Sequence, residues 1–218
     1  MRKYEDTYRH KGLRKKLIDL LVSKGITDDR VLEAMNAIPR HYFLDSALDE
    51  IAYEDRAFPI SEGQTISQPY TVAYQTQLLQ VKPNEKILEI GTGSAYQAAV
   101  LSEMGAKIFT IERQKKLFDK TRRFILGPKY PSLKFFYGDG HEGLPTYAPF
   151  DKVIITAAAP FIPPKLVNQL KPGGKMVIPL DEGQYQRMLR ITKNADGTVS
   201  EEAFDNFSFV PMLSGRNG

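Results

Sequence analysis

Lys86-Ile87-Leu88-Glu89-Ile90-Gly91-Thr92-Gly93-Ser94-Ala95-Tyr96 is a short apolar run that stops at a carboxylate and two glycines, and good helix formers follow it in Gln97-Ala98-Ala99-Val100-Leu101. Strand, tight glycine turn and helix in that order make a nucleotide-type binding unit. The glycines allow backbone angles barred to other residues and let a ligand lie against bare main chain, while the helix start adds free N–H groups.

Spacing separates the cofactors. The dinucleotide fingerprint places glycines at its first, third and sixth positions. Here those positions hold Gly91, Gly93 and Tyr96, so the third fails. An acid, one residue, then Gly-x-Gly-x-Ala is similar to the E-x-G-x-G-x-G loop of class I S-adenosylmethionine-dependent methyltransferases. The next apolar run, Lys107 to Ile111, ends at Glu112, 21 residues beyond Gly91. That is the register of an acid that binds ribose hydroxyls, and its charge would repel the 2′-phosphate of NADP. The competing reading of the turn is a plain strand-to-helix connection.

The 218 residues, 42% of them hydrophobic, suffice for one domain with a full core. The division expected within it is a helical prelude and substrate loop over 1–80, a cofactor-binding core over 81–182, and a hairpin and tail over 183–218. No apolar run is long enough to span a bilayer, and the basic start lacks an apolar segment behind it, so a cytoplasmic location is expected. Zero cysteines exclude disulfides, thiolate metal sites and the covalent thiolate of pyrimidine C5 methylation; with only three histidines, no metal centre is expected. The net charge of +4 is mild. Its basic clusters, residues 2–16 and 113–123, read as solvated helix faces rather than as a nucleic-acid surface.

Leu13, Leu17, Ile18, Leu20 and Leu21 predict an amphipathic helix over 13–24. A second, capped by Thr27 or Asp28, carries Val31, Leu32, Met35 and Ile38 and stops at Pro39. Arg40-His41-Tyr42-Phe43 reads as an aromatic packing patch. Residues 53–70 show no sustained period and read as a functional loop, followed by a helix over 72–79. Strands are predicted at 86–90, 107–111, 133–137, 151–156 and 175–180, with helices at 95–105, 114–126 and 163–170. The fold class is therefore α/β: a Rossmann-like, doubly wound, mostly parallel sheet with a helical prelude. Residues 185–193 and 199–210 around Asn194-Ala195-Asp196-Gly197 predict an antiparallel C-terminal hairpin.

Ligands of such sheets bind beyond the carboxyl ends of the strands. Those ends carry Glu89 and Gly91, then Glu112, then Gly138-Asp139-Gly140, where Asp139 can accept from an adenine amino group. Thr156-Ala157-Ala158-Ala159-Pro160 leaves room for a ligand after the fourth strand.

Tyr53-Glu54-Asp55-Arg56, Gly63-Gln64-Thr65-Ile66-Ser67-Gln68-Pro69-Tyr70, Leu88 to Ser94, Gly138-Asp139-Gly140, Ala157 to Pro160 and Leu170-Lys171-Pro172-Gly173-Gly174 occur in order. With them the chain resembles the protein-L-isoaspartate (D-aspartate) O-methyltransferases from about residue 13 to Pro211. The Gly63–Pro69 block is the most specific signal. The resemblance implies methylation of the free α-carboxylate of L-isoaspartyl and D-aspartyl residues in damaged proteins, with S-adenosylmethionine as cofactor. The ester then closes to a succinimide, whose hydrolysis returns some normal aspartate.

It implies that Ser67 hydrogen-bonds and orients the carboxylate, with a helix N-cap as the competing role. Glu112 would hold the ribose, Asp139 and Gly140 the adenine end, and Glu89, Gly91, Gly93 and Ser94 the methionine portion, with Thr65 beside them. Phe58, Pro59, Ile60 and Val210 would line the peptide groove, where edge-strand pairing would tolerate many sequences. Ala95 stands where the family loop ends in glycine, His141 has no assigned role, and the tail after Pro211 departs from the pattern. Three alternatives remain: a methyltransferase with another substrate, a non-catalytic S-adenosylmethionine-binding module, and a nicotinamide oxidoreductase, which the glycine spacing disfavours.

Overall fold

The computed structural model describes residues 4–123 and 126–218. Helix α1, Tyr8–Ser23, begins five residues before Leu13, where the apolar spacing starts. Its start is set by hydrogen bonding: the Thr7 hydroxyl accepts from His10 N, and the His10 ring accepts from Thr7 N. Helix α2, Asp29–Ala37, is capped by Asp28, whose carboxylate accepts from Arg30 N. Residues 53–70, expected to be irregular, contain a two-stranded ribbon in which β1, Phe58–Pro59, pairs antiparallel with β2, Thr65–Ile66. Helix α3, Pro69–Leu79, follows at once.

The predicted alternation then appears as β3, Lys86–Ile90; α4, Tyr96–Glu103; β4, Lys107–Glu112; α5, Lys115–Thr121; β5, Lys134–Tyr137; β6, Phe150–Ile155; and α6, Pro164–Asn168. After these come β7, Leu170–Asp181, β8, Gln186–Lys193, and β9, Val199–Phe207. The sheet order is β5-β4-β3-β6-β7-β8-β9, parallel from β5 through β7 and antiparallel for β8 and β9.

Several boundaries differ from expectation. Helix α5 is the shorter one, and residues 124–125 of the expected 114–126 helix lie outside the described residues. Leu170-Lys171-Pro172-Gly173-Gly174 joins β7 rather than ending a helix. Leu170 sits opposite Phe150 and Lys175 opposite Lys152, so the intervening residues bulge. A Cβ on Gly174 would stand 2.8 Å from the Lys171 carbonyl, and only glycine fits that bulge. Strand β9 stops at Phe207, before the expected Val210.

Strands β3, β4 and β6 bury both faces, which explains their unbroken apolar runs. Ile87, Ile108 and Ile154 join the core under α1–α4, while Leu88, Ile90 and Val153 pack with Leu166 of α6. The winding reverses at β3, which has β4 on one side and β6 on the other. A crevice therefore opens beyond the C-terminal ends of these strands.

Candidate active site

The glycine turn shapes the floor of that crevice. Gly91 N and Thr92 N both donate to the Ile111 carbonyl, at 3.0 and 3.1 Å, which folds the turn over the end of β4. Gly91 has φ +94°, and a Cβ there would stand 2.6 Å from Thr156 Oγ1. Ala95 also lies in the left-handed region, at φ +66°, and is fully buried, so the methyl group accepts a conformation the expected glycine adopts freely.

Glu112 closes one side. Its Oε2 accepts from Gly93 N at 3.0 Å and its Oε1 from Gln114 N at 2.9 Å. Each oxygen keeps a lone pair for a further donor, the geometry a vicinal diol requires. Burial raises its pKa, against the opposing backbone donors.

Glu89 stands behind the turn, not in the wall. It is wholly buried, and neither carboxylate oxygen has a partner among the described residues. The nearby hydroxyls of Thr92 and Thr110 bond to each other at 2.7 Å. Burial, with the Glu112 carboxylate adding, pushes Glu89 up to about 8. An acid buried without a partner stays neutral, or ionises when a cation is brought close to it. A proton held in the fold and lost on unfolding stabilises below the unfolded pKa, and that contribution fades as pH rises through about 8. Glu89→Gln is therefore expected to raise the melting temperature of the ligand-free protein at pH 9 by about 4–8 °C, on the order of 2 kcal/mol, with a much smaller effect at pH 5. Calorimetric scans at both pH values check this, and equal shifts would exclude Glu89 as the titrating group.

The acceptor side is built by β1–β2 and the start of α3. The N-cap position of α3 belongs to Gln68, which makes no capping bond. Asp55 caps the helix from a distance instead, its Oδ1 accepting from Tyr70 N at 2.7 Å and its Oδ2 from Gln68 Nε2 at 3.1 Å. Ser67 is thus relieved of the capping role, and its hydroxyl has no partner among the described residues.

Two hollows meet here. One includes Gly91, Gly93, Ser94, Glu112 and Gly140 in its wall. The other is bounded by Tyr70, Tyr185, Asp205, Phe207 and Phe209 among others. Thr65, Ser67, Thr156 and Val210 belong to both and form the neck between them.

Other predicted positions fall elsewhere. Asp139 is outside both walls: its Oδ1 accepts from His141 N at 2.9 Å and its Oδ2 from Gly215 N at 2.7 Å. Burial alone would raise the Asp139 pKa, but these donors hold it below the usual value. Phe58 is buried and Pro59 exposed, and neither lines a hollow. Ile60 also lies outside both walls and packs toward Gly93. Asp6, His10 and His41 converge with ligand-type atoms within 4.8 Å of one another. Arg14 occupies both Asp6 oxygens at 3.0 Å, and the two imidazoles stack at 3.8 Å, so the cluster is a packed junction of the prelude.

Four roles escape a reading of the sequence: those of Arg40, Asp55, Thr156 and the tail. The tail runs beside the loop after β6, with Ala158 N donating to the Val210 carbonyl and Met212 N to the Ala158 carbonyl. It then reaches the end of β4, where Asn217 N donates to the Arg113 carbonyl at 2.9 Å, so the tail straps the cleft. A cation among the aromatic and aliphatic side chains of Ile38 to Leu44, with only His41 beside it as a polar neighbour, is the legible signal for Arg40.

The profile of the family "Protein-L-isoaspartate(D-aspartate) O-methyltransferase (PCMT)" matches residues 12–217. The chain belongs to this family. A protein-L-isoaspartate O-methyltransferase of Cytophaga hutchinsonii is 52% identical over 214 residues, covering 98% of this chain and 96% of that protein. The Salinibacter ruber enzyme of the same name is 45% identical, with 97% and 95% covered. Among solved structures, a Plasmodium falciparum protein described as a putative protein-L-isoaspartate O-methyltransferase in complex with S-adenosyl-L-homocysteine superposes with a TM-score of 0.80. It is 25% identical, with 92% of this chain and 98% of that one covered. The cleft of this methyltransferase fits S-adenosylmethionine: an unpaired buried acid behind the glycine turn suits a cationic ligand, and the Glu112 carboxylate beside bare main chain suits a diol.

Proposed function

We propose that the enzyme methylates the α-carboxylate of L-isoaspartyl and D-aspartyl residues at the neck formed by Thr65, Ser67, Thr156 and Val210, with cofactor in the first hollow and peptide in the second. The observation that carries this reading is that these four residues wall both hollows. Bound S-adenosylmethionine supplies an electrophilic methyl group on a sulfonium. Glu112 would hold the ribose, the Gly91–Gly93 turn would back the methionine portion, Glu89 would offset the positive charge from behind once that charge draws off its proton, and Gly140 and the strap would flank the adenine end.

The acceptor carboxylate, which in a short peptide titrates at roughly pH 3.5–4, is ionised at pH 7 and needs no general base. Transfer would form a bond between its oxygen and the methyl carbon as the carbon–sulfur bond breaks, the bonding pair leaving with sulfur. No proton moves. Carboxylate and sulfonium lose their opposite charges together, so a dry neck favours the step. Ser67 Oγ–H would donate to the carboxylate and hold one oxygen toward the methyl group, making catalysis a matter of placement.

The second hollow supports an extended peptide, because the rings of Tyr70, Phe207 and Phe209 give it an aromatic wall against which side chains can pack. The proposed setting is the cytoplasm, and no described helix is long and apolar enough to cross a membrane. Transfer of labelled methyl to matched peptides tests the proposal. Base-labile label on the isoaspartyl peptide and none on the aspartyl peptide is expected; equal labelling of both would overturn it.

A further inference from the structure

We infer that Arg40 is the positioning residue that sets the separation between the acceptor serine and the cofactor turn. The inference rests on the proposed role of Ser67. Arg40 is completely buried, and among the described residues no carboxylate lies within ion-pair distance of it. An isolated guanidinium in a core is costly unless its donors are used. Here two of its three nitrogens are committed to main chain. Nε donates to the Ala52 carbonyl at 3.0 Å, and Nη2 donates to the Ser67 carbonyl at 2.8 Å. Nη1 has no hydrogen-bond partner among the described residues. The guanidinium lies against the Tyr96 ring, with Cζ 4.7 Å from the centroid.

Tyr96 is the first residue of α4, directly behind the glycine turn, and like Ser67 it walls the cofactor hollow. One rigid, planar group therefore touches the acceptor loop on one side and the head of the cofactor helix on the other. Asp55 fixes the residues after Ser67 through Gln68 and Tyr70, which leaves Arg40 to fix the Ser67 peptide itself. Without the guanidinium the Ser67 carbonyl loses its donor and the serine gains freedom along the line of transfer. Misplacement of about 1 Å costs on the order of 100-fold in rate. The cofactor keeps its own contacts with Glu112 and the glycine turn, so its affinity is not the quantity that moves.

The test uses the full chain with Arg40→Lys and Arg40→Gln. Readouts are kcat, KM for an isoaspartyl peptide, the Kd of S-adenosylhomocysteine, and hydrogen exchange of the segment around Ser67. Lysine keeps the charge but not the planar fork; glutamine keeps an amide donor and removes the charge. Expected is a fall in kcat of about tenfold for lysine and about 100-fold for glutamine. The Kd should stay within about twofold, and exchange around Ser67 should rise in the same order. Wild-type kcat in both variants, or a loss of kcat matched by an equal loss of cofactor affinity, would overturn the assignment, as would failure of both to fold. Inactive wild-type protein would instead sink the methyl-transfer reading, and exchange would still report on Arg40.

Discussion

Gly91→Ala is expected to abolish measurable cofactor binding and to destabilise the fold by about 3 kcal/mol, from left-handed strain of about 1–2 kcal/mol plus steric overlap. The two costs are separable. At φ +94° the backbone lies beyond the angles alanine tolerates, and the new methyl would sit 2.6 Å from Thr156 Oγ1. That hydroxyl cannot swing away cheaply, because it donates within the turn to the carbonyls of Ile90 and Gly91, at 3.0 and 2.8 Å. The melting temperature should fall by roughly 6–12 °C. Adding Thr156→Ala removes the overlap and leaves the strain, so the double variant should recover part of the loss. Thermal unfolding and titration with S-adenosylhomocysteine read both effects; an unchanged transition with wild-type affinity would show that the turn moves freely.

Ser67→Ala is expected to lower kcat by roughly 10- to 150-fold, the equivalent of one charged hydrogen bond worth about 1.5–3 kcal/mol. Stability should change little, since Asp55 and not Ser67 caps α3. Cofactor affinity should also persist, because the Glu112 carboxylate and the glycine turn remain. Ser67→Thr, which keeps the hydroxyl, should recover part of the rate. A melting point lowered by several degrees in Ser67→Ala, with activity retained, would return the residue to a structural role.

The alternation of apolar runs with helical stretches is enough to read the succession of elements along the chain, most plainly at β3, β4 and β6, which are buried on both faces and carry no competing pattern. Gly91 and Glu112 are legible for a local reason: turn and acid lie on consecutive strand ends at a fixed spacing. The beginning of α1 is hidden because a histidine in place of the usual acid completes its cap. Asp55 and Arg40 are hidden for a different reason. Their partners lie 15 and 27 residues away, and hydrogen bonds to main chain leave no mark on the partner's side chain. Asp139 shows the same limit, since nothing local announces that Gly215, 76 residues on, occupies one of its oxygens.

Strand β9 is one edge of the sheet, and Val199 to Ala203 are all exposed. An enzyme of this family works among injured, half-unravelled proteins, and such chains seek unsatisfied edges to pair with. Glu201 and Glu202 stand on that edge, with Asp205 further along toward the second hollow. Carboxylates deter a stray apolar strand from adding anywhere along the rim, while the stretch beyond Phe207, beside the neck, carries none before Val210. The molecule is thus guarded along this rim and left uncharged beside the proposed neck, and it avoids becoming a seed for the aggregation that its clients are prone to.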